Sequence, residues 1–370
     1  PTISMNMKIS STFNFVSELP IRGGEKIAME VETLSGIVKF GSIKKDEGIV
    51  PDSGELYVYK MENFDQPSTA QSFTLKITSP EYFTNETSRC MKKYKSATID
   101  VHVKDILSKT MKINPDKVLD KNIDKTKNSY SFIGNTKKPF HTISWLCPKS
   151  IAGSKQGVSG EGQQAKAVGT AGYLFFENKD GFNFRSIEGL VSRTRENADS
   201  ADAKTHGKDI HGPYIHQGKG SVGNLYKAEE NFKINHVHVN RGTDIRKALT
   251  VGQYANSTIF FDSLSHVVSV YDYKLLGDDG LENQLGSDDE KETSSNELKM
   301  LNSRLFVRIS DHGTLGIGTD GFQTSGIDQA YQAKSASRYN QLFSQSVDIQ
   351  IPLNTNIKVG DMINCIFPTL

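Results

Sequence analysis

The sequence predicts a β-rich α+β protein of more than one domain, and three observations carry that prediction. Apolar and polar residues alternate over several short runs in the first ninety residues, the pattern of half-buried antiparallel strands. Helical periodicity interrupts the strands only in short stretches near residues 100, 140, 250 and 335. The chain has 370 residues, a length that ordinarily divides into two or three domains.

Taken in order, Ile27, Met29 and Val31 alternate with Ala28, Glu30 and Glu32, and Phe73, Leu75 and Ile77 alternate with Thr74 and Lys76. Between them lie two further short strands, GIVKFGSI and GELYVYKM, punctuated by Gly23-Gly24, Pro51, Gly54 and Pro67. About five short strands in ninety residues suggest a sandwich or small barrel. The period then changes. Ile99, Val103, Ile106 and Leu107 recur at helical spacing. A second helix begins at Pro139, suited to a first turn, with Phe140, Ile143, Leu146 and Cys147 on one face and Pro148 ending or kinking it.

A Gly/Gln/Ser loop over 152–170 leads to two aromatic strands flanking Asn178-Lys179-Asp180-Gly181, a hairpin turn. Phe175, Phe182 and Phe184 fall on its core side, so core packing is favoured over a stacking platform for bases. Residues 192–230 are polar and aperiodic and read as a long loop excursion. Strands resume at INHVHVN, followed by a helix over 243–254 and the strand pair in STIFFDSLSHVVSVYDY. An acidic loop over 277–297, the strand RLFVRIS, a Gly-rich stretch, a helix over 327–343 and the strands VDIQIPL and MINCIFP complete the chain.

Composition excludes several classes. Hydrophobic residues at 36% and charged residues at 24% fit a soluble globular chain. No apolar run approaches the roughly 20 residues of a membrane helix, and the first residues lack a signal-peptide layout. Forty-four basic against 43 acidic residues give +1, too balanced for nucleic-acid binding by bulk charge. The charge is uneven, with a basic excess between Arg89 and Lys138 and an acidic one in 277–297; both read as solvated faces and loops. Cys90, Cys147 and Cys365 are widely spaced and in no CxxC, which fits a reducing compartment without a disulfide framework or zinc knuckle.

Motifs with chemistry are few. Gly316-Ile317-Gly318-Thr319-Asp320-Gly321 spells GxGxxG, but no helix opens at its third glycine and no βαβ unit follows, so it reads as a glycine loop. Gly218-Lys219 lacks both the first glycine and the Ser/Thr of a phosphate loop. His206, His211, His216, His236 and His238 share one window, and His236 and His238 lie on one face of a strand. Their spacing matches no compact ligand pattern, so loop histidines and an exposed strand face are favoured over a metal site. Cys147 reads as an inert core thiol. The sequons at Asn85 and Asn256 carry no weight without a secretory signal. From the residues alone, the chain is a β-rich multi-domain protein in which no motif makes a convincing active site.

Five blocks, taken in order, carry a resemblance: TIDVHVKDILSKTM (98–111), KKPFHTISWLCPKSIAGSK (137–155), GTAGYLFFENKDGFNFRSIEGLV (169–191), VGQYANSTIFFDSLSHVVSVYDY (251–273) and RYNQLFSQSVDIQIPLNTNIKVGDMINCIFP (338–368). Together they resemble the central baseplate hub protein of contractile-tailed, T-even-like bacteriophages, to which the amino-terminal part of type VI secretion spike proteins is related. The match covers most of the chain after about residue 20 and rests on the order and spacing of the blocks.

The resemblance implies two tail-tube-like antiparallel β-barrels joined by an α/β connector. Residues 1–95 would be the first barrel, 96–192 the connector, 193–275 with 328–370 the second barrel, and 276–327 an insertion. It implies a homotrimeric structural virion protein, not an enzyme, whose six barrels adapt a sixfold tail tube to a threefold central spike. Its partners would be further copies of itself, the spike, the tube or tube initiator, and baseplate wedge proteins. Genomic DNA would pass through a polar or acidic bore without sequence-specific binding. It would be made in the host bacterial cytoplasm and reside in the tail baseplate, with no catalytic, cofactor-binding or metal-binding residues and no cofactor. Asp361 and the helix bearing Arg338 would support the second barrel.

Three departures accompany this reading. Pro148 would end the connector helix early, the 192–230 excursion is longer than the scaffold needs, and the chain stops at FPTL where further strands would be expected. The alternatives are a metal-assisted or wall-degrading tail hydrolase using His206–His238, and another viral β-structural subunit such as a tube or fibre protein.

Overall fold

Among the described residues, eight strands precede the first helix. The fold was analysed on a computed structural model that describes residues 2–12, 21–33, 36–40, 42–44, 48–50, 56–65, 70–152, 172–187, 190, 210–216, 230–241, 244–263, 266–274, 301–310, 326–342 and 346–367. Strands β1 (Ser4–Ser11), β2 (Lys26–Ile27), β7 (Leu56–Asp65) and β8 (Gln71–Thr78) form an antiparallel sheet in the order β1-β8-β7-β2. Between them, β3 (Met29–Thr33) pairs with β4 (Gly36–Phe40) and β5 (Ser42–Lys44) with β6 (Gly48–Val50). The register sets Met5 opposite Ile77, Met7 opposite Leu75 and Ile9 opposite Phe73. These side chains share one face with the buried Leu56 and Val58, so period-two alternation places the first core where the sequence predicts it.

The N-terminal strand itself is an addition to the sequence reading. The expected closed barrel is not seen among the described residues. The four-stranded sheet is open, because β2 contributes only two residues and β1 and β2 do not pair across the gap.

Helix α1 (Glu81–Thr87) leads into β9 (Lys93–Thr98), which pairs with β10 (Ser129–Ile133) around α2 (Ile99–Asp105). Helix α2 continues as a π-turn over Ile106–Thr110, and Ile99, Val103, Ile106 and Leu107 are all buried, as their spacing predicts. Helix α3 (Pro139–Leu146) starts on Pro139, and the Asn85 carboxamide oxygen accepts the Phe140 N–H at 2.9 Å. Its continuation becomes a 3₁₀ turn at Cys147–Lys149, where Pro148 cannot extend an α-helix.

The aromatic hairpin forms as predicted. Strands β11 (Tyr173–Asn178) and β12 (Gly181–Ser186) pair with Asn178 opposite Gly181. Phe182 and Phe184 are fully buried and Phe175 packs on the same core, the largest among the described residues. An ion pair locks it: Arg185 Nη1 donates to Asp124 Oδ1 at 2.9 Å, with both side chains buried.

The remaining strands make three separate small sheets. Strand β13 (Ile210–His216) lies between β14 (Lys233–Ile234) and β20 (Met362–Ile366). Strand β15 (His236–Arg241) pairs with β19 (Ser346–Gln350) as a two-stranded antiparallel ribbon. Helix α4 (Ile245–Val251) precedes β16 (Ala255–Asp262), the centre of a sheet ordered β17 (Val268–Lys274), β16, β18 (Arg304–Ser310). Asp244 caps α4 by accepting the Lys247 N–H, and Gly252 ends it at φ +71. Helix α5 (Gly326–Leu342) packs on this last sheet.

Two expectations are corrected here. The stretch 192–230 contains β13, hidden in the sequence by Gly212-Pro213 at its centre. The pairing is also not purely antiparallel: β13 runs parallel to β14 and β20, and β16 runs parallel to β18. A parallel pair needs a long crossover, which the forty residues between β16 and β18 supply.

Candidate assembly interface

The residues singled out for chemistry do not converge. His211 Nε2 lies 3.0 Å from Asp361 Oδ2, an oxygen that also accepts the Lys358 N–H at 2.7 Å. His216 on the same strand has its ring 6.3 Å from that of Phe367. His236 and His238 are exposed on one face of β15, opposite Gln350 and Asp348. His206, the glycine loop 316–321, Gly218-Lys219 and the acidic stretch 277–297 lie outside the described residues. Among the described residues no group of three or more His, Cys, Asp or Glu is placed to hold a metal ion.

Cys147 is buried, and burial pushes its thiol up to about 12, so it stays protonated at neutral pH. All three cysteines are free thiols. Both sequon asparagines are buried: Asn85 caps α3, and Asn256 Nδ2 donates to Ser337 Oγ at 2.7 Å.

Among the described residues are two clefts. One, of about 410 Å³, is lined by Lys92, Lys93, Lys95, Lys104 and Lys109, part of the basic excess seen in the sequence. Lys92 and Lys109 pair with Asp105, and Lys104 pairs with Asp120. The buried His102 at its floor lies 2.7 Å from the Tyr130 carbonyl oxygen, and burial pushes its pKa down, so the ring is held neutral.

The other cleft, of about 270 Å³, lies where β1 and β8 meet the hairpin. There Glu177 accepts the Ser79 hydroxyl at 2.7 Å and the Ile3 N–H at 2.9 Å, and Lys117 bonds Glu81 at 2.7 Å. Burial, with Glu81 nearby, raises the Glu177 pKa against those hydrogen bonds. These contacts join the first sheet to the middle unit. Neither cleft presents a nucleophile beside a base.

The distinctive surface is elsewhere, on the β17-β16-β18 sheet. Its register aligns Val268, Phe261 and Ile309 in one row and Val270, Ile259 and Val307 in the next, with Leu305 beside Ser257 in a third. All of these project from the same face. Val270 is 58% exposed, Val307 70% and Ile309 74%. The opposite face, against α5, is mixed: Asn256, Thr258 and Asp262 are buried there beside the aromatic Phe260 and Tyr273, with Gln332, Ala333, Ser335, Ser337, Arg338 and Gln341 buried on the helix. Hydrogen bonds hold this layer, including Arg308 Nη1 to the Gln332 carbonyl oxygen at 3.2 Å and Ser337 Oγ to the Gly252 carbonyl oxygen at 3.0 Å.

Apolar side chains therefore lie on both faces of the sheet, aliphatic ones outward and aromatic ones among polar groups against α5. With about half or more of most of these side chains in solvent, the bare face presents on the order of 500 Å² of apolar area, the upper end of what a monomer keeps.

No family model and no curated protein matches the chain. Among solved structures, the chain is similar to "The crystal structure of the tail protein from Neisseria meningitidis MC58". The two share 11% identity at a TM-score of 0.46, over 99% of this chain and 78% of that one.

The bare face escaped motif reasoning because no catalytic or ligand-binding pattern marks it. The signal that could have found it lies in two places. In RLFVRIS, Leu305, Val307 and Ile309 fall on one side, and the helix that follows, GIDQAYQAKSASRYNQL, has mostly alanines and tyrosines, not large aliphatic residues, at its apolar positions.

Proposed function

We propose that this chain is a structural protein of a contractile phage tail, a baseplate hub subunit that works by assembly and performs no catalysis. The observation that carries the reading is the outward apolar face of the β17-β16-β18 sheet, on which Val268, Val270, Val307 and Ile309 are each more than half exposed. Such a face is a liability on a lone protomer and an asset only in an assembly. The ordered sequence blocks supply the identity of that assembly: a trimer joining a sixfold tube to a threefold spike, with wedge proteins outside and DNA passing through the bore. The three core clusters, around Phe73, Phe184 and Tyr254, support a first tube-like unit, a connector and a second tube-like unit. In this reading the open sheets complete their barrel-like rings with strands of neighbouring copies.

The test is the absolute mass of the full chain in solution over a tenfold concentration range, followed by imaging of the assembled species. The expected result is a particle of three times 41.0 kDa with threefold symmetry. A stacked sixfold ring would replace the hub with a tube subunit, and a monomer throughout, alone and on the spike, would overturn the reading.

A further inference from the structure

We infer that the lysine-lined cleft between β9 and α2 is a docking site for an acidic segment of another protein, taken in extended form along the open edge of β9. The inference goes beyond the assembly reading above and does not depend on it.

The lining identifies the edge. Lys92, Lys93, Tyr94 and Lys95 all border the cleft, facing residues of α2 and its π-turn. Consecutive side chains of a strand leave on opposite faces, so a cleft reached by four residues in a row runs along the strand's edge. No residue of β10 lines it, and β10 is the single strand paired with β9 among the described residues. The cleft therefore follows the edge that β10 leaves unpaired.

Charge selects the kind of segment. Asp105 and Asp120 answer Lys92, Lys104 and Lys109. Lys93 and Lys95 are exposed and enter no ion pair among the described residues. Two residues apart on a strand, they stand about 7 Å apart along it, the spacing at which an extended peptide repeats its side chains on one face. Lysines on an open edge ordinarily repel further strands. Toward an acidic strand the same charges attract, so the edge discriminates by sign. Main-chain hydrogen bonds along the edge then supply affinity, and the lysines supply specificity.

The rest of the lining favours peptide over nucleic acid. Val101 is 48% exposed and offers an apolar seat, whereas Tyr94 is 2% exposed and offers no ring on which a base could stack. The lining holds no arginine for bidentate phosphate contact, and the Asp105 carboxylate stands within it.

The probe is a short labelled peptide of alternating Glu and Val, titrated with the full chain by fluorescence anisotropy. The expected result is one-to-one binding that weakens as salt is raised. Lys93→Glu/Lys95→Glu should lose on the order of tenfold or more in affinity. The charge-matched control Lys8→Glu/Lys274→Glu, at exposed strand positions elsewhere, should bind as the wild type does. Unfolding midpoints are compared first, and Lys93→Gln/Lys95→Gln takes the place of the charge reversal where the latter does not fold. A Gln-Val peptide should not bind for want of charge, nor a Glu-Pro peptide, which cannot pair as a strand.

Equal binding by the Lys93/Lys95 variants and the wild type overturns the site. Equal binding by the Glu-Pro peptide overturns addition along the edge, and tighter binding of a single-stranded oligothymidylate overturns the peptide in favour of nucleic acid. Carbodiimide cross-linking of the free chain, with Lys92–Asp105 as internal positive control, tests the remaining occupant. Links from Lys93 or Lys95 to acids of 277–297 would overturn the external partner, because the chain would then fill the cleft itself.

Discussion

Removing the Asp124 carboxylate should cost the middle unit about 3–5 kcal/mol, the range for breaking a buried ion pair from one side. The structure supplies the reasons. Asp124 and Arg185 are each 8% exposed at the side chain, so the charge left behind stays out of water. The Arg185 Nη1–Oδ1 hydrogen bond at 2.9 Å is charge-assisted and worth about 1.5–3 kcal/mol. Oδ2 also accepts the Ser186 N–H at 3.0 Å, and orphaning that donor adds about 1–3 kcal/mol.

Arg185→Met should cost a similar amount, because Asp124 would remain buried without its guanidinium partner. The double variant Asp124→Ala/Arg185→Met should be about 1–3 kcal/mol more stable than the sum of the singles predicts. Equilibrium unfolding in urea is the assay. The protein's single tryptophan, Trp145, stands against Tyr130 and Phe132 in the same unit, so its fluorescence reports the relevant transition. Additivity within about 0.5 kcal/mol, or a single-variant cost below about 1 kcal/mol, would refute the argument that these two groups hold each other in the core.

Other outcomes follow from the same structure. The raised Glu177 pKa means that the folded state holds this proton more tightly than the unfolded chain. Its contribution is therefore complete at acid pH and is lost as pH rises through the folded-state titration; relative to wild type, Glu177→Gln should gain stability from acid to neutral pH in parallel urea titrations. The Tyr339 hydroxyl accepts the Tyr173 N–H at 2.9 Å and donates to the Tyr173 carbonyl oxygen at 2.5 Å, tying α5 to the hairpin. Tyr339→Phe should cost about 1–3 kcal/mol by the same assay. Gly181 sits at φ +111, and a Cβ there would stand 2.3 Å from the Lys117 carbonyl oxygen. Gly181→Ala should lower the unfolding midpoint by more than the ~1 kcal/mol of an ordinary backbone substitution, and an unchanged midpoint would contradict the hairpin geometry.

Local rules were enough where an element's environment is supplied by its own neighbourhood. The α2 spacing, Pro139 and Pro148 at the two ends of α3, the Asn178–Gly181 turn and the Asp244 cap are contained within a few residues, and each behaves as its local chemistry dictates. The reading weakened where pairing is distant. Strand β13, interrupted by Gly212-Pro213, is held in place by β20, about 150 residues later, through parallel bonds that no local pattern encodes. The convergence of Ser79, Lys117 and Glu177 on one buried cluster is likewise a product of packing between distant segments.

By itself, the sequence determined which side chains share a face, because a strand's two-residue period is a property of the backbone alone. Leu305, Val307 and Ile309 had to lie together, and so did Phe306 and Arg308. Which of those faces meets the interior was decided only by tertiary structure. Helix α5 packed a mixed polar and aromatic layer onto the Arg308 side and left the Val307 side pointing outward. Burial depends on what lies opposite, and α5 lies opposite only the Arg308 side of this sheet.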